Sequence, residues 1–405
     1  MRYEFPVIHS IDDIERFRAE GLIHKSFGRW ARDNGTIVYD YTYMTDDVFP
    51  RIGENPFAPY ARELRGLTFD AETGALLSRP YHKFFNAGER EETLPQNLDF
   101  GAAHAVLEKL DGSMVHAFPA PGGNLAFATR SGVTAFSDAA FDWFKDADAS
   151  GAGRTAVRRL CEDGYTPIFE WTSPSNIVVI EHVEPRLTLT AVRHRESGRY
   201  LDMPDLLHHA RSMRVAAVGS FDPVAEWPSF AERVFGETDG EGYVLRFADG
   251  HMLKVKNARY ARIHKLKSRL VQEKDVVELA LGGGLDDILP HLPEAERAAL
   301  SAYRDALMDA IGRVARRVEE TVAAGRLALG AEDARLGQKR FWLEHATPLG
   351  ADLAGVAMLV WNARESALDA VSGLVAKNTG TGPRFDALAN RLGLPRWGYS
   401  FAGDL

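Results

Sequence analysis

The period of the hydrophobic pattern changes once along these 405 residues, at about residue 257, and no single-class fold accommodates both sides of that change. Between residues 105 and 256, apolar side chains come in short runs at 105–109, 115–119, 125–129, 166–172, 177–180, 187–193, 242–247 and 252–255. Those lengths and alternations are those of strands. Helical stretches interrupt them near 138–162, 203–211 and 224–235. Upstream, the first hundred residues add a short amphipathic helix at 11–18, an alternating strand at 36–43, and two runs at 64–69 and 75–77 that the turn from Asp70 to Gly74 joins as a hairpin. Beyond residue 257 the apolar spacing is helical in 257–281, 293–324, 331–345, 350–377 and 383–392, with glycine-rich breaks at 282–284 and 379–383. Strands and helices do not alternate regularly, so a doubly wound parallel sheet is excluded. The expectation is an α+β domain with antiparallel sheets over 1–260, its first hundred residues an extension, followed by an all-α domain over 261–405.

A content of 45% hydrophobic and 26% charged residues is that of a soluble globular chain, and the net charge of −9 requires that any polyanion meet a local basic patch. Residues 254–274 supply one: Lys254, Lys256, Arg259, Arg262, Lys265, Lys267, Arg269 and Lys274 stand against the single acid Glu273. On a helix, Arg259, Arg262 and Lys265 or Arg269 share a side, with Tyr260 near the helix start, an arrangement suited to a phosphodiester backbone. One cysteine, Cys161, permits no intrachain disulfide and fits a reducing compartment. The N-terminal residues lack the apolar run of a signal peptide, and no window is apolar enough to span a bilayer. A cytoplasmic monomer is expected.

The string Glu108-Lys109-Leu110-Asp111-Gly112-Ser113 closes an apolar run with a tight turn. A lysine so placed can attack the α-phosphate of a nucleoside triphosphate if its amine is deprotonated and aimed. Alone, such a string is an ordinary surface turn. Other segments carry residues of the kinds this chemistry needs. Arg65-Gly66 precedes a strand, and the run from Arg79 to Asn86 supplies Lys83 beside Phe84 and Phe85; Arg65 and Lys83 are fixed cations for phosphate, and Phe85 could stack on a purine or sit in the core. Arg130 ends the strand at 125–129. Glu170 lies mid-strand between Phe169 and Trp171, where a buried carboxylate needs a partner: a ribose hydroxyl, a metal or an arginine. Glu241 opens a strand, and the next one ends in Lys254 and Lys256, which project on one face. Two ammonium groups so close favour an anion between them and would lower the pKa of a neighbouring amine.

In order and spacing, Lys109-x-Asp-Gly, Phe169-Glu170, Glu241-Gly242 and Lys254-x-Lys256 resemble the motifs of the covalent nucleotidyltransferases, which include ATP-dependent ligases and capping enzymes. Arg65-Gly66, the run Arg-Pro-x-x-Lys-Phe-Phe-Asn at 79–86, Lys-Leu-Asp-Gly-Ser and Tyr260 resemble the bacteriophage RNA ligase 1 family in particular, over roughly residues 36–270. The resemblance implies an ATP-grasp-like nucleotidyltransferase domain that forms a covalent AMP adduct on Lys109, passes AMP to an RNA 5′-phosphate, and seals it to a 3′-hydroxyl, with nicked tRNA as a possible substrate. It implies Lys109 as nucleophile, Glu170 at the ribose, Arg65 and Lys83 at phosphates, Phe85 at the adenine site, and Glu108, Leu110, Asp111 and Gly112 in the same pocket. It further implies Glu241 in metal-dependent chemistry, Lys254 and Lys256 at the α-phosphate and triphosphate, and Tyr260 at the pocket edge. Mg2+, or Mn2+ in its place, would bridge ATP oxygens with much of its shell water, Glu241 and Glu170 being the candidate ligands. Where the family commonly has a lysine after the third strand, this chain has Arg130, a fixed fork rather than a point charge. A DNA ligase or capping enzyme would share these motifs but would follow them with a small β-barrel, and here helices follow. A non-catalytic RNA-binding protein leaves Lys109, Glu170 and Glu241 unexplained, and no P-loop string occurs.

Overall fold

The structure, a computed structural model, describes residues 4–286, 288–330 and 334–398. It divides into two compact units, one built on the chain up to Arg262 and the other on the chain from Ile263. The first unit begins with α1 (Asp12–Ala19), whose Ile14 and Phe17 share a core with an antiparallel sheet of β1 (Phe27–Ala31), β2 (Thr36–Tyr41), β3 (Leu67–Asp70) and β4 (Leu76–Ser78), in that order. The hairpin of β3 and β4 forms as expected. The edge strand β1 is unannounced in the sequence, because Gly28 and Arg29 interrupt its apolar residues.

A single turn of helix, α2 (Ala58–Ala61), precedes β3; then follow β5 (Phe85–Asn86), β6 (His104–Lys109), β7 (Ser113–Pro119), β8 (Leu125–Ala128), α3 (Ala135–Ala147), α4 (Ala152–Glu162), β9 (Tyr165–Thr172) and β10 (Arg186–His194). The unit closes with α5 (Met203–Met213), β11 (Ala216–Ala217), β12 (Ser220–Phe221), α6 (Trp227–Gly236), β13 (Gly242–Phe247) and β14 (Met252–Lys256). These strands make two sheets, β11-β10-β9-β7-β8 and β12-β6-β13-β14-β5, antiparallel except where β10 meets β11 and β14 meets β5. Consecutive β6 and β7 lie in different sheets, so the chain changes sheet within Leu110, Asp111 and Gly112. One core packs Val115, Phe127, Phe169 and Leu189 with Phe144, Leu160 and Leu206 of α3, α4 and α5. Another joins Val106, Leu245, Leu253 and Val255 to Phe230 and Val234 of α6. Each such side chain contributes about 1.5–3 kcal/mol by leaving water.

Two expectations in this unit are corrected. The segment 138–162 is two helices, divided where Gly151 takes a φ of 71° and the Asp148 carboxylate accepts the amide of Arg154 at 2.9 Å. Residues 177–180 are not a strand: the amides of Val179 and Ile180 donate to Asp111 Oδ2, at 2.8 and 2.5 Å, instead of to a neighbouring strand.

Beyond β14 the chain is helical: α7 (Ala258–Leu270), within which the division between units falls, α8 (Glu273–Leu281), α9 (Glu294–Leu329), α10 (Ala334–Phe341), α11 (Ala351–Trp361), α12 (Ala367–Lys377) and α13 (Gly382–Leu392). Segments 257–281 and 350–377 are each two helices; in the second, Ala363 turns to a φ of 52° and Ser366 caps α12 through the amide of Asp369 at 3.1 Å. The α9 helix runs five residues past 324, to Leu329, and residues 331–333 of the expected segment 331–345 lie outside the described residues. The basic patch is smaller than its sequence suggests. Lys267 is buried against Glu296 at 3.0 Å and Lys274 meets Asp275 at 2.8 Å. Among the described residues, no helix is long and apolar enough to cross a membrane.

Candidate active site

Where β6, β13 and β14 lie side by side, Lys109 and Lys256 both pair with Gly242, so the two lysines flank the start of the middle strand. Gly242 has a φ of 136°, and a Cβ there would collide with the Val255 carbonyl oxygen and the Lys256 backbone. That close approach lets Glu241, the residue before it, reach both neighbours: its Oε2 lies 2.8 Å from Lys109 Nζ and its Oε1 2.9 Å from Lys256 Nζ. Burial works to raise the Glu241 carboxyl, but the charges and hydrogen bonds of Lys109 and Lys256 outweigh it and hold the carboxyl below its ordinary range. For Lys109 the balance is reversed: burial works to lower it, yet Glu241 and Glu170 hold it above the usual lysine value. The expectation that the lysine pair lowers Lys109 is therefore corrected. At rest Lys109 is an ammonium, because a carboxylate stands between it and Lys256.

Lys254 is the lowered lysine. It sits one alternation behind Lys256 on the same face, paired in register with Val244, and among the described residues no carboxylate or carbonyl meets its ammonium. Burial, then the charges of Lys83, Lys109, Lys256 and Arg65, push it well below the usual value. The ring 5.5 Å from its ammonium belongs to Phe84. Nearby, Lys83 lies over Tyr41, Phe49 and Phe85 at 5.3, 5.7 and 5.2 Å, with Tyr41 Oη 3.4 Å away, and burial lowers it too. Arg65 contacts Met114 Sδ at 3.2 Å, and Arg130 pairs with Asp40 at 3.6 Å while covering Tyr41. The site thus concentrates cations around an amine that has no counterion. Such a place is built for a polyanion.

Asp111 binds the turn to its surroundings. Its Oδ2 accepts the amides of Val179 and Ile180, its Oδ1 accepts the Tyr260 hydroxyl at 2.6 Å, and its carbonyl lies 2.7 Å from His182 Nε2. A Cβ on Gly112 would collide with the Trp171 carbonyl oxygen, so only glycine passes there. Leu110 is the first residue of this crossing. Tyr260 is buried rather than at an edge: its ring carries the Lys256 ammonium at 4.8 Å while its hydroxyl holds Asp111, which makes it a support for both.

Two other site expectations are corrected. Phe85 is 1% exposed, packed edge-on against Phe49 and facing the cations of Lys83, Arg62 and Arg90, so no purine can stack on it. Phe84, one residue earlier in an extended segment and so on the opposite side, is the ring beside Lys254. Glu108 is exposed on the face of β6 opposite Lys109, near Gly219, so its side chain is not in the site. Sequence reasoning missed Tyr41, although its place in the alternating strand β2 next to Asp40 was a usable signal.

Glu170 pairs in register with Met114 on β7 and Thr188 on β10, and its carboxyl has no hydrogen-bonding partner among the described residues. Burial pushes it up to about 8; Lys109 works against the shift, and Glu241 and Asp111 add to it. Near neutral pH it is a carboxylic acid, able to donate to a ligand hydroxyl. Because the folded value lies above the ordinary one, Glu170 disfavours the folded state progressively as pH rises from about 4.5 to 8. In urea titrations Glu170→Gln should match the parent near pH 5 and exceed it near pH 8 by on the order of 2 kcal/mol. An equal difference at both pH values would refute the raised value. As a metal site this donor set does not suffice: Glu241 is committed to two ammonium groups, and the described residues contain no cluster of three or more His, Cys, Asp or Glu that could hold an ion. The pairing of Glu241 and Glu170 as metal ligands is not what the geometry supports.

The profile of a family described as RNA ligase matches residues 63–260, a span that contains every residue of this site except Tyr41, Asp40 and Phe49 among those named above and Arg62 beside Phe85. A Thermovibrio ammonificans protein that carries an RNA ligase name is 30% identical over 273 residues, covering 65% of this chain and 67% of its own. RNA ligase 1 of bacteriophage TS2126 is 32% identical over 188 residues, 44% of this chain and 45% of the phage protein, so less than half of that relative is spanned. Among solved structures, an archaeal ATP-dependent RNA ligase aligns over 72% of this chain and 73% of its own at 14% identity, with a TM-score of 0.44.

Proposed function

This chain belongs to the RNA ligase family, and on that premise we propose that it seals RNA ends through AMP carried on Lys109. The observation that carries the reading is the row Lys109, Glu241, Lys256 at the change of sheet, with the uncompensated Lys254, Lys83 and Arg65 beside it. In the first step the Lys109 amine, having lost its proton, bonds to the α-phosphorus of ATP as the bond to pyrophosphate breaks. An oxygen of an RNA 5′-phosphate then takes the AMP, and the phosphorus–nitrogen bond breaks as Lys109 regains a proton. Finally a 3′-hydroxyl attacks the activated 5′-phosphorus, gives up its proton, and AMP leaves. Lys254 and Lys256 meet the α-phosphate and the charge that develops on it; Arg65, Lys83 and Arg130 meet the outer phosphates; Glu170, as an acid, meets a ribose hydroxyl. Asp111 and Tyr260 hold the turn and Lys256 in place. A divalent ion held by the oxygens of the triphosphate would add positive charge there. Helices from α7 onward present the RNA, with nicked tRNA in a reducing cytoplasm as the substrate and the monomer as the working form.

The protein incubated with α-labelled ATP and Mg2+, then denatured, should retain label, and adding 5′-phosphorylated RNA should discharge it into a sealed strand. Label that washes away on denaturation, or a DNA strand sealed in preference to RNA, would overturn the reading.

A further inference from the structure

Among the described residues no carboxylate lies within ion-pair distance of Arg65 or Lys83, and Arg65 makes the Lys83 charge more costly, yet both are held beside Lys254. Side-chain contacts account for this only in part: Arg65 meets a thioether, and Lys83 meets three aromatic rings and the Tyr41 hydroxyl. The backbone that carries them accounts for the rest. Glu63, two residues before Arg65, is fully buried, and its carboxylate receives Arg79 Nε at 2.9 Å and Arg193 Nη1 and Nη2 at 2.8 and 2.9 Å. Arg79 also donates to the carbonyls of Pro6, Arg195 and Glu196, and Arg193 to those of Gly198 and Pro80, the last at 2.6 Å. Lys83 follows Pro80 by three residues, and its own amide donates to the Arg62 carbonyl at 2.6 Å. The arginines together outweigh burial and hold the Glu63 carboxyl down to about 2, so the group stays charged at every working pH.

We propose that Glu63, Arg79 and Arg193 form a buried positioning device that fixes the backbone around Arg65 and Lys83, and with it the grip on the outer phosphates of ATP. This rests on the nucleotide reading above. A buried ion cluster adds little stability over well-packed apolar residues, and its distinctive property is directional. Here the forks of two arginines converge on one carboxylate and five carbonyls, which defines the relation of the segments around 62–66, 79–83 and 193–198 more narrowly than apolar packing can. The two cations are thereby held at the site by the backbone that carries them.

The test compares two reactions of one variant. Glu63→Gln should raise the KM for ATP in covalent labelling by about tenfold or more, the scale on which small misplacements act. Sealing of an RNA whose 5′-phosphate already carries AMP, which uses no triphosphate, should change by less than about threefold. Glu63→Asp, which keeps the charge, should recover part of the lost affinity. If Glu63→Gln does not fold, Arg193→Lys keeps the positive charge, loses the fork, and poses the same question. An unchanged KM, or equal losses in both reactions, would show a general structural role instead; so would failure of both variants to fold. Should the parent protein itself take no label, it is the nucleotide reading that falls.

Discussion

Lys109→Ala is expected to lose covalent labelling by ATP altogether, and overall joining of 5′-phosphorylated RNA should fall by at least about 10⁴-fold, the scale seen when a nucleophile is removed. The loss should be confined to steps that use the lysine. An RNA that already carries 5′-linked AMP needs no amine, and the rest of the site survives the substitution: Glu241 keeps Lys256 at 2.9 Å, and Asp111 keeps its contacts to Val179, Ile180 and Tyr260. Sealing of the pre-adenylated strand should therefore persist within about tenfold, the change equivalent to roughly 1.4 kcal/mol. Retention of label in the variant would place the attachment on another residue, and Lys254, with its lowered pKa, would be the first to examine.

Glu241→Gln should have the second largest effect, a fall of about 10² to 10³-fold in the rate of labelling, since one side chain orients two of the lysines. Its pH dependence is the more specific readout. In the parent, Glu241 is the leading influence that raises Lys109 against burial, so the amine fraction is small at neutral pH and grows tenfold with each unit below the lysine's own value. Labelling should climb steadily with pH through the neutral and mildly alkaline range. Without the carboxylate the Lys109 value falls, and the climb should begin and level off at lower pH. Single-turnover labelling measured from pH 6 to 9 distinguishes the two curves; parallel profiles would mean that Glu241 does not govern the Lys109 proton.

Much of this site was legible in the sequence because strand alternation is a strict rule. Lys254 and Lys256 had to share a face. What alternation cannot reveal is which strands become neighbours. Nothing local brings Gly242 beside both Lys109 and Lys256, so the sequence suggests two lysines lowering a third, whereas the structure inserts Glu241 between them and reverses the sign. Phe85 and Phe84 fail for a similar reason: adjacent residues in an extended segment face opposite ways, and choosing between them requires knowing where the core lies. The long helical segments were recognised as helical, but their breaks at 271–272 and 362–366 carry no proline or glycine. Glu63 gave no signal because a fully buried acid is identified by its partners, and Arg79 and Arg193 stand 16 and 130 residues away in the chain.

Between the last residue of β6 and the first of β7 the chain has three residues, and in them it leaves one sheet for another. Three residues reach about 10 Å when fully extended, so the tether is short. Lys109 is anchored to one sheet by its own strand and leashed to the other by Asp111 and Gly112. Any displacement of one sheet against the other would therefore re-aim the Lys109 amine.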